Sequence, residues 1–334
     1  MDTNAVKSTD HLCIDGRVNK LYSAIVGHGP VVICFDQWTQ NPDITAPPFG
    51  FAFWKSRGAN VVAVKSGVND WYQGAEMPAI LAAIDEMCGD RERIGYGSSM
   101  GAYAVLNFST ELRISQALLF APQFSIDRSL VPFERRWTGE FERTKFVRDQ
   151  VAVSRPIERG AIFFDPREID DGRHIALISV RHPLPIVKVP FSSHSTIQYF
   201  STAGALARLA EEVVFHGIPV EGLIAKRRAL RLNSSLYWTK RSQANHRRKR
   251  FALALEDALR AETLPKNDSA FSAHLRATAL WGMHQRDAAI AIWRAQTSDP
   301  NQAPVALRRI QLTAREMRWG DLRREFDATP INNV

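Results

Sequence analysis

The chain has 334 residues, of which 45% are hydrophobic and 23% charged, and it carries a formal net charge of +8. This length and balance exclude a disordered chain or a small disulfide-stapled module and leave room for one large α/β domain with an appendage, or for two domains. Three scattered cysteines, Cys13, Cys34 and Cys88, make neither a disulfide framework nor a metal cluster and read as buried thiols.

The opening stretch MDTNAVKSTDHLCIDG has no basic region followed by an apolar one, and no run of about 18 apolar residues occurs along the chain. A cytoplasmic protein without a transmembrane segment is the expectation. Short β-branched apolar runs then alternate with helical patterns through residue 217, as in a mostly parallel sheet covered by helices. PVVICF (30–35), NVVAVK (60–65), RIGYG (93–97), ALLFAP (117–122), GAIFFD (160–165) and PIVKVP (185–190) predict buried strands, with NKLYSAIVG (19–27) pairing at the sheet edge. Helices are predicted over 78–89, 101–112, 174–180 and 201–217. The segment 131–155, VPFERRWTGEFERTKFVRDQVAVSR, is too long, charged and aromatic for a plain connection and is expected to form a lid.

Beyond residue 222 only helical patterns remain, so residues 1–222 and 223–334 are expected to divide into an α/β domain and a basic all-α region. KRRALR (226–231) and KRSQANHRRKR (240–250) concentrate the positive charge and read as solvated helix faces. No aromatic interleaving or base-reading motif accompanies them, so nucleic acid is not an expected partner. ALWGMHQRDAAIAIWRAQTSDP (279–300) resembles a tetratricopeptide repeat, and EMRWGDLRREF repeats it more poorly. Asp287 and Asp321 lie 34 residues apart, the period of that repeat. Because about three repeats are normally needed for independent stability, this tail is expected to pack on the first domain or on a protein partner.

The chemistry concentrates at Gly97-Ser98-Ser99-Met100-Gly101, which fits G-x-S-x-G at the end of a predicted strand and the start of a predicted helix. Small residues two before and two after the serine permit a sharp strand-to-helix turn that projects the Ser99 hydroxyl from the carboxyl edge of the sheet. There the Met100 amide can face a developing oxyanion, helped by the positive end of the helix. A serine hydroxyl needs a base, and VPFSSHSTIQYF (189–200) puts His194 in the loop after the last predicted strand, at the same sheet edge. For the acid that orients the histidine, GAIFFDPREIDDGRH offers Asp165 at a strand end, 29 residues before His194, with Asp171 as the alternative. Asp165 is the first choice, since Asp170 and Asp171 could instead cap the helix that begins near Arg173.

The strand order and the chain order Ser99, acid, His194 resemble the α/β-hydrolase superfamily over roughly residues 19–217. YGSSMGAYAVL in particular resembles the elbow YGSSMGGYAAL of bacterial serine hydrolases, some of them encoded with polysaccharide or glycoprotein modification systems. The Asp-Pro context of Asp165 is similar to that of acids following the seventh strand of that fold. The resemblance implies an acyl-enzyme mechanism with no metal or organic cofactor, and a second oxyanion donor in FDQWTQNPD (35–43), from the Gln37 or Trp38 amide. Asp36 and Gln37 stand where many relatives carry His-Gly, which leaves that donor open.

Trp71, Tyr72, Arg136 and Trp137 are expected to reach the active-site edge and contact substrate, the aromatics suiting a sugar. The same aromatics could instead pack the lid to the body. Arg135 and Arg136 could bind an anion or pair with Glu140 and Glu142. A serine esterase acting on a small-molecule or glycan O-acyl group is the leading reading. A non-catalytic scaffold recruiting a protein partner through the helical tail, or an acyltransferase on the same site, are the alternatives.

Overall fold

The computed structural model describes residues 11–217 and 219–327. The opening residues 1–10, on which part of the expectation about a leader rests, lie outside this range. The predicted apolar runs become strands β2 (Asn19–Ala24), β3 (Val31–Phe35), β4 (Asn60–Ser66), β5 (Arg93–Ser98), β6 (Gln116–Phe120), β7 (Arg159–Phe164) and β8 (Ile186–Lys188). A strand not anticipated, β1 (His11–Asp15), pairs antiparallel with β2 as a mostly exposed edge. The eight strands form one sheet in the order β1-β2-β4-β3-β5-β6-β7-β8. β2 runs antiparallel to β4, and every pairing from β4 to β8 is parallel. This is the mostly parallel, helix-covered architecture expected from the sequence.

Strand alternation builds the two layers. Val31, Ile33 and Phe35 share one core with Ile80 and Ile84 of α2 (Met77–Cys88), with α3 (Met100–Asn107), and with Ile175 and Ile178 of α5 (Ile169–Arg181). On the other face Tyr96 packs edge-on against Phe120 and against Trp54 of α1 (Phe51–Lys55), and Trp54 meets Phe215 of α7 (Leu206–His216). Cys34 and Cys88 are buried thiols, as expected, but Cys13 is exposed on β1. The chain passes from β3 outward to β4 and returns on the other side of β3 as β5. This reversal of strand order opens a crevice beyond the carboxyl ends of β3 and β5, the usual ligand position in an open α/β sheet.

Among the described residues two compact units emerge: 11–197 with 206–227, and 198–205 with 228–327. The division thus falls a few residues beyond the expected 222/223, and 198–205 groups with the helices. The segment 131–155 is largely irregular around a short α4 (Thr138–Arg143). Its second half is fastened to the body: Gln73 Oε1 accepts from the Val147 and Arg148 amides, and Asn107 bonds Arg148 O and the Gln150 amide.

The remaining helices are α6 (Thr196–Thr202), α8 (Val220–Leu230), α9 (Ser235–Arg247), α10 (Phe251–Glu262), α11 (Ser269–Gly282), α12 (Arg286–Thr297), α13 (Ala303–Met317) and α14 (Gly320–Asp327). Trp281, Trp293, Ile310, Leu322 and Phe326 join α11–α14 in a second core. Asp287 and Asp321 stand in the first turns of α12 and α14. The basic run 240–250 is helical to Arg247 and then turns; Ser242, Asn245 and His246 are buried on one side, while Arg247, Arg248, Lys249 and Arg250 are exposed. No described helix is long and apolar enough to cross a membrane.

Candidate active site

Ser99 occupies the turn between β5 and α3 with φ 52° and ψ −121°, a backbone region that non-glycine residues seldom adopt and that costs about 1–3 kcal/mol. The turn closes through two hydrogen bonds: the Ser99 amide donates to Phe120 O at 2.9 Å, and Ser99 O accepts from the Tyr103 amide at 3.0 Å. Both flanking glycines are sterically required. A Cβ on Gly97 would lie 2.7 Å from the Ala102 backbone, and one on Gly101 would lie 2.2 Å from Phe35 O. The second contact matters most, because it lets the end of β3 abut the start of α3.

Three side chains then converge. Ser99 Oγ lies 2.8 Å from His194 Nε2, and His194 Nδ1 lies 2.9 and 3.0 Å from the two Asp171 carboxylate oxygens. The expected pairing of His194 with Asp165 is not found. Asp165 turns instead to the histidine loop's backbone, accepting from the Ser193 amide at 2.8 Å and from the Arg167 amide at 2.9 Å. The physical reason is where α5 begins. Its first residue is Ile169, so Asp171 sits in the first turn with its carboxylate inside the site, fully buried, rather than capping a helix near Arg173. Burial pushes the Asp171 carboxyl upward, but hydrogen bonding and charge from His194 and Arg136 outweigh it and hold the group below the usual carboxylate range. Asp165 is shifted the other way, raised by burial against its two backbone donors.

Met100 is the first residue of α3, so its amide is among those without an intrahelical acceptor, and it directly follows Ser99. Across the crevice, the fully buried Tyr72 donates its hydroxyl to Asp36 O at 2.8 Å. A trans peptide points its N–H opposite its C=O, so this bond aims the Gln37 amide away from Tyr72. The Asp36 carboxylate fastens the same loop, pairing with Lys65 at 2.8 Å and accepting from the Phe49 amide at 2.7 Å. Tyr72 therefore orients the 36–37 peptide instead of lining a substrate groove, and burial pushes its phenol well above the ordinary range.

The expected substrate-binding residues divide in the same way. Trp71 is fully buried and donates to Gln123 Oε1 at 3.2 Å. Trp137 is half-buried and forms a wall beside the histidine, its ring centroid 5.9 Å from His194, 5.6 Å from Trp71 and 4.9 Å from the half-buried Trp38. Trp38 Nε1 donates to Glu140 of α4 at 2.8 Å. Two buried donors near this wall, Trp137 Nε1 and Gln123 Nε2, have no protein acceptor.

Arg136 pairs with neither Glu140 nor Glu142. Its Nη1 donates to Asp171 Oδ1 at 2.6 Å, and its Nε and Nη2 grip Glu134 at 2.6–3.1 Å. Glu134 in turn meets His174 Nε2 at 2.9 Å. Neither Glu134 nor His174 was singled out in the sequence, and the signal for the first lay in the i, i+2 spacing of ERRW. Among the described residues no group of three or more His, Cys, Asp or Glu could hold a metal ion.

No protein-family model and no curated protein matches the chain. Similar solved structures include a capsule O-acetyltransferase of Neisseria meningitidis serogroup A, 10% identical over 57% of this chain and 89% of that one, at a TM-score of 0.41. An α/β serine hydrolase without lid from Xanthomonas campestris is 17% identical over 64% and 94%, at 0.40. A sugar hydrolase from Lactococcus lactis is 11% identical over 66% and 100%, at 0.42. Similarity at this level says nothing of what this chain acts on.

Proposed function

We propose that the protein is a serine hydrolase that cleaves an ester through an acyl-enzyme, with Ser99 as nucleophile, His194 as general base and acid, and Asp171 as the acid that orients the imidazole. The observation that carries this reading is the continuous hydrogen-bonded line from Ser99 Oγ through His194 to a buried carboxylate, set on a strained strand-to-helix turn. His194 Nε2 takes the Ser99 proton as Oγ attacks the ester carbonyl. The tetrahedral oxyanion is met by the Met100 and Gln37 amides, and the leaving alkoxide receives the proton from His194. Water then attacks the acyl carbon as Nε2 takes its proton, and the imidazolium returns that proton to Ser99 Oγ as the acyl–oxygen bond breaks and the acid leaves.

Trp38 and Trp137 are half-buried and offer ring area to a sugar. These features favour an O-acylated glycan over a long-chain lipid ester. The paired helices α11–α12 and α13–α14, with acidic residues in matching first turns 34 residues apart, support the tetratricopeptide-like reading of the tail and a protein partner for it.

The test is pre-steady-state release of p-nitrophenol from p-nitrophenyl acetate. A burst of one equivalent per chain, absent in Ser99→Ala, is expected, with turnover reduced by at least about four powers of ten in that variant. Added alcohols that divert the acetyl group from water would make the enzyme a transferase on the same site. A burst that survives in Ser99→Ala would overturn the assignment.

A further inference from the structure

The catalytic acid of this site is held by a second charge pair rather than by backbone. The partners of the Asp171 carboxylate are His194 and the Arg136 guanidinium, whereas Asp165 next door is fixed by two backbone amides. Arg136 is in turn gripped by Glu134, whose side chain is 1% exposed, and Glu134 meets His174, which is 0% exposed. The chain ends where His174 Nδ1 accepts the Phe124 amide at 3.2 Å. That bond leaves a proton for Nε2, facing Glu134.

The charges along this line alternate: Asp171 negative, Arg136 positive, Glu134 negative. Arg136 alone would cancel the carboxylate that stabilises the imidazolium formed in catalysis. Glu134 restores one net negative charge beside His194 and also fixes the plane of the guanidinium, whose fork then has one free edge, with Nη1 on Asp171 Oδ1 at 2.6 Å and 3.4 Å from His194 Nδ1. We infer that Arg136 and Glu134 act together as positioning residues that hold the Asp171 carboxylate against His194 while keeping the net charge beside the imidazole at minus one. This inference rests on the serine-hydrolase reading of the site. It places Arg136 among the residues that set the base, not among those that bind substrate.

Other charged groups that face the histidine loop are Asp165 on the Ser193 amide, Glu168 beside it and Arg167 over the Phe191 ring; Glu140 of α4 is held by Trp38. They are the same in every variant below.

The experiment is the pH dependence of the second-order rate at which a fluorophosphonate inactivates the protein, which follows the free-base form of His194 and requires no knowledge of the substrate. Arg136→Met leaves two uncompensated carboxylates and should move the inflection upward by about one pH unit; Glu134→Gln leaves a neutral pair and should move it downward by a similar amount. The double variant should return the inflection near wild type with a lower plateau rate. Arg136→Lys keeps the charge without the fork, so it should keep the inflection and lose about tenfold in plateau rate. Should Arg136→Met fail to fold, Glu134→Gln and Arg136→Lys still decide the matter. An inflection that does not move in Glu134→Gln or in folded Arg136→Met, one that moves in the same direction in both, or one that moves in Arg136→Lys overturns the inference. Wild-type protein that is not inactivated at all, or is modified away from Ser99, overturns the serine-hydrolase reading instead.

Discussion

Replacing Asp171 with Asn tests the assignment of the acid most sharply, because the structure dictates how the new amide must sit. Arg136 Nη1 donates to Asp171 Oδ1 at 2.6 Å and can only donate, so the Asn oxygen is held on the arginine side. The amide NH₂ then takes the Oδ2 place 2.9 Å from His194 Nδ1, beside the oxygen at 3.0 Å, and by donating to Nδ1 it favours the tautomer with the proton on Nε2, where the ring can no longer accept from Ser99 2.8 Å away. A histidine trapped in that tautomer costs about four powers of ten in kcat, or about 5.4 kcal/mol of barrier. Asp165→Asn serves as the comparison. It loses one of two backbone hydrogen bonds, at Ser193 or Arg167, worth about 1–3 kcal/mol. Even if all of that appeared as displacement of the histidine loop, activity would fall by roughly ten- to a hundredfold. The assay is kcat/KM on p-nitrophenyl acetate for both variants, with folding checked by circular dichroism. A larger loss in Asp165→Asn than in Asp171→Asn would refute the reasoning.

Two further outcomes follow from buried groups around the site. Tyr72→Phe removes the hydroxyl that holds Asp36 O, so it should lower kcat by about tenfold with little change in KM, because the 36–37 peptide acts only on the oxyanion; a rise in KM at constant kcat would restore Tyr72 to substrate binding. Burial raises the Asp149 carboxyl to about 6 against its bonds to Ser125 and Tyr103. The native pKa therefore lies above the unfolded one, and the stability it contributes at low pH is lost as pH rises through about 6. Asp149→Asn should accordingly gain roughly 1–3 kcal/mol over wild type between pH 5 and pH 8, as read by urea denaturation. A difference independent of pH would contradict it.

The sheet and the sharp turn at Ser99 were legible because each rests on local chemistry. β-branched runs can only be buried strands here, and the glycines around Ser99 answer steric demands that a Cβ would violate. His194 was legible from its place after the last strand. The carboxylate that faces His194 was not: Asp165 and Asp171 both follow β7, and choosing between them requires the direction in which the first turn of α5 points, which no spacing encodes. The aromatics misled for a related reason. Trp71 and Tyr72 sit consecutively at φ 51° and 57°, a left-handed turn that sends both rings inward, and nothing in SGVNDWYQG demands it. Arg136 looked like a substrate anchor because its partner Asp171 is 35 residues away in sequence. Strand β1 was passed over because its pattern is mostly exposed and so carries no apolar period.

The central claim is that Ser99 is an activated nucleophile. Its most direct test is mass spectrometry of the full-length protein after treatment with a fluorophosphonate, wild type beside His194→Ala. One adduct is expected, on the peptide containing Ser99, formed in the wild type and lost without His194. A well-folded wild type that carries no adduct, or carries it equally in His194→Ala, would contradict it.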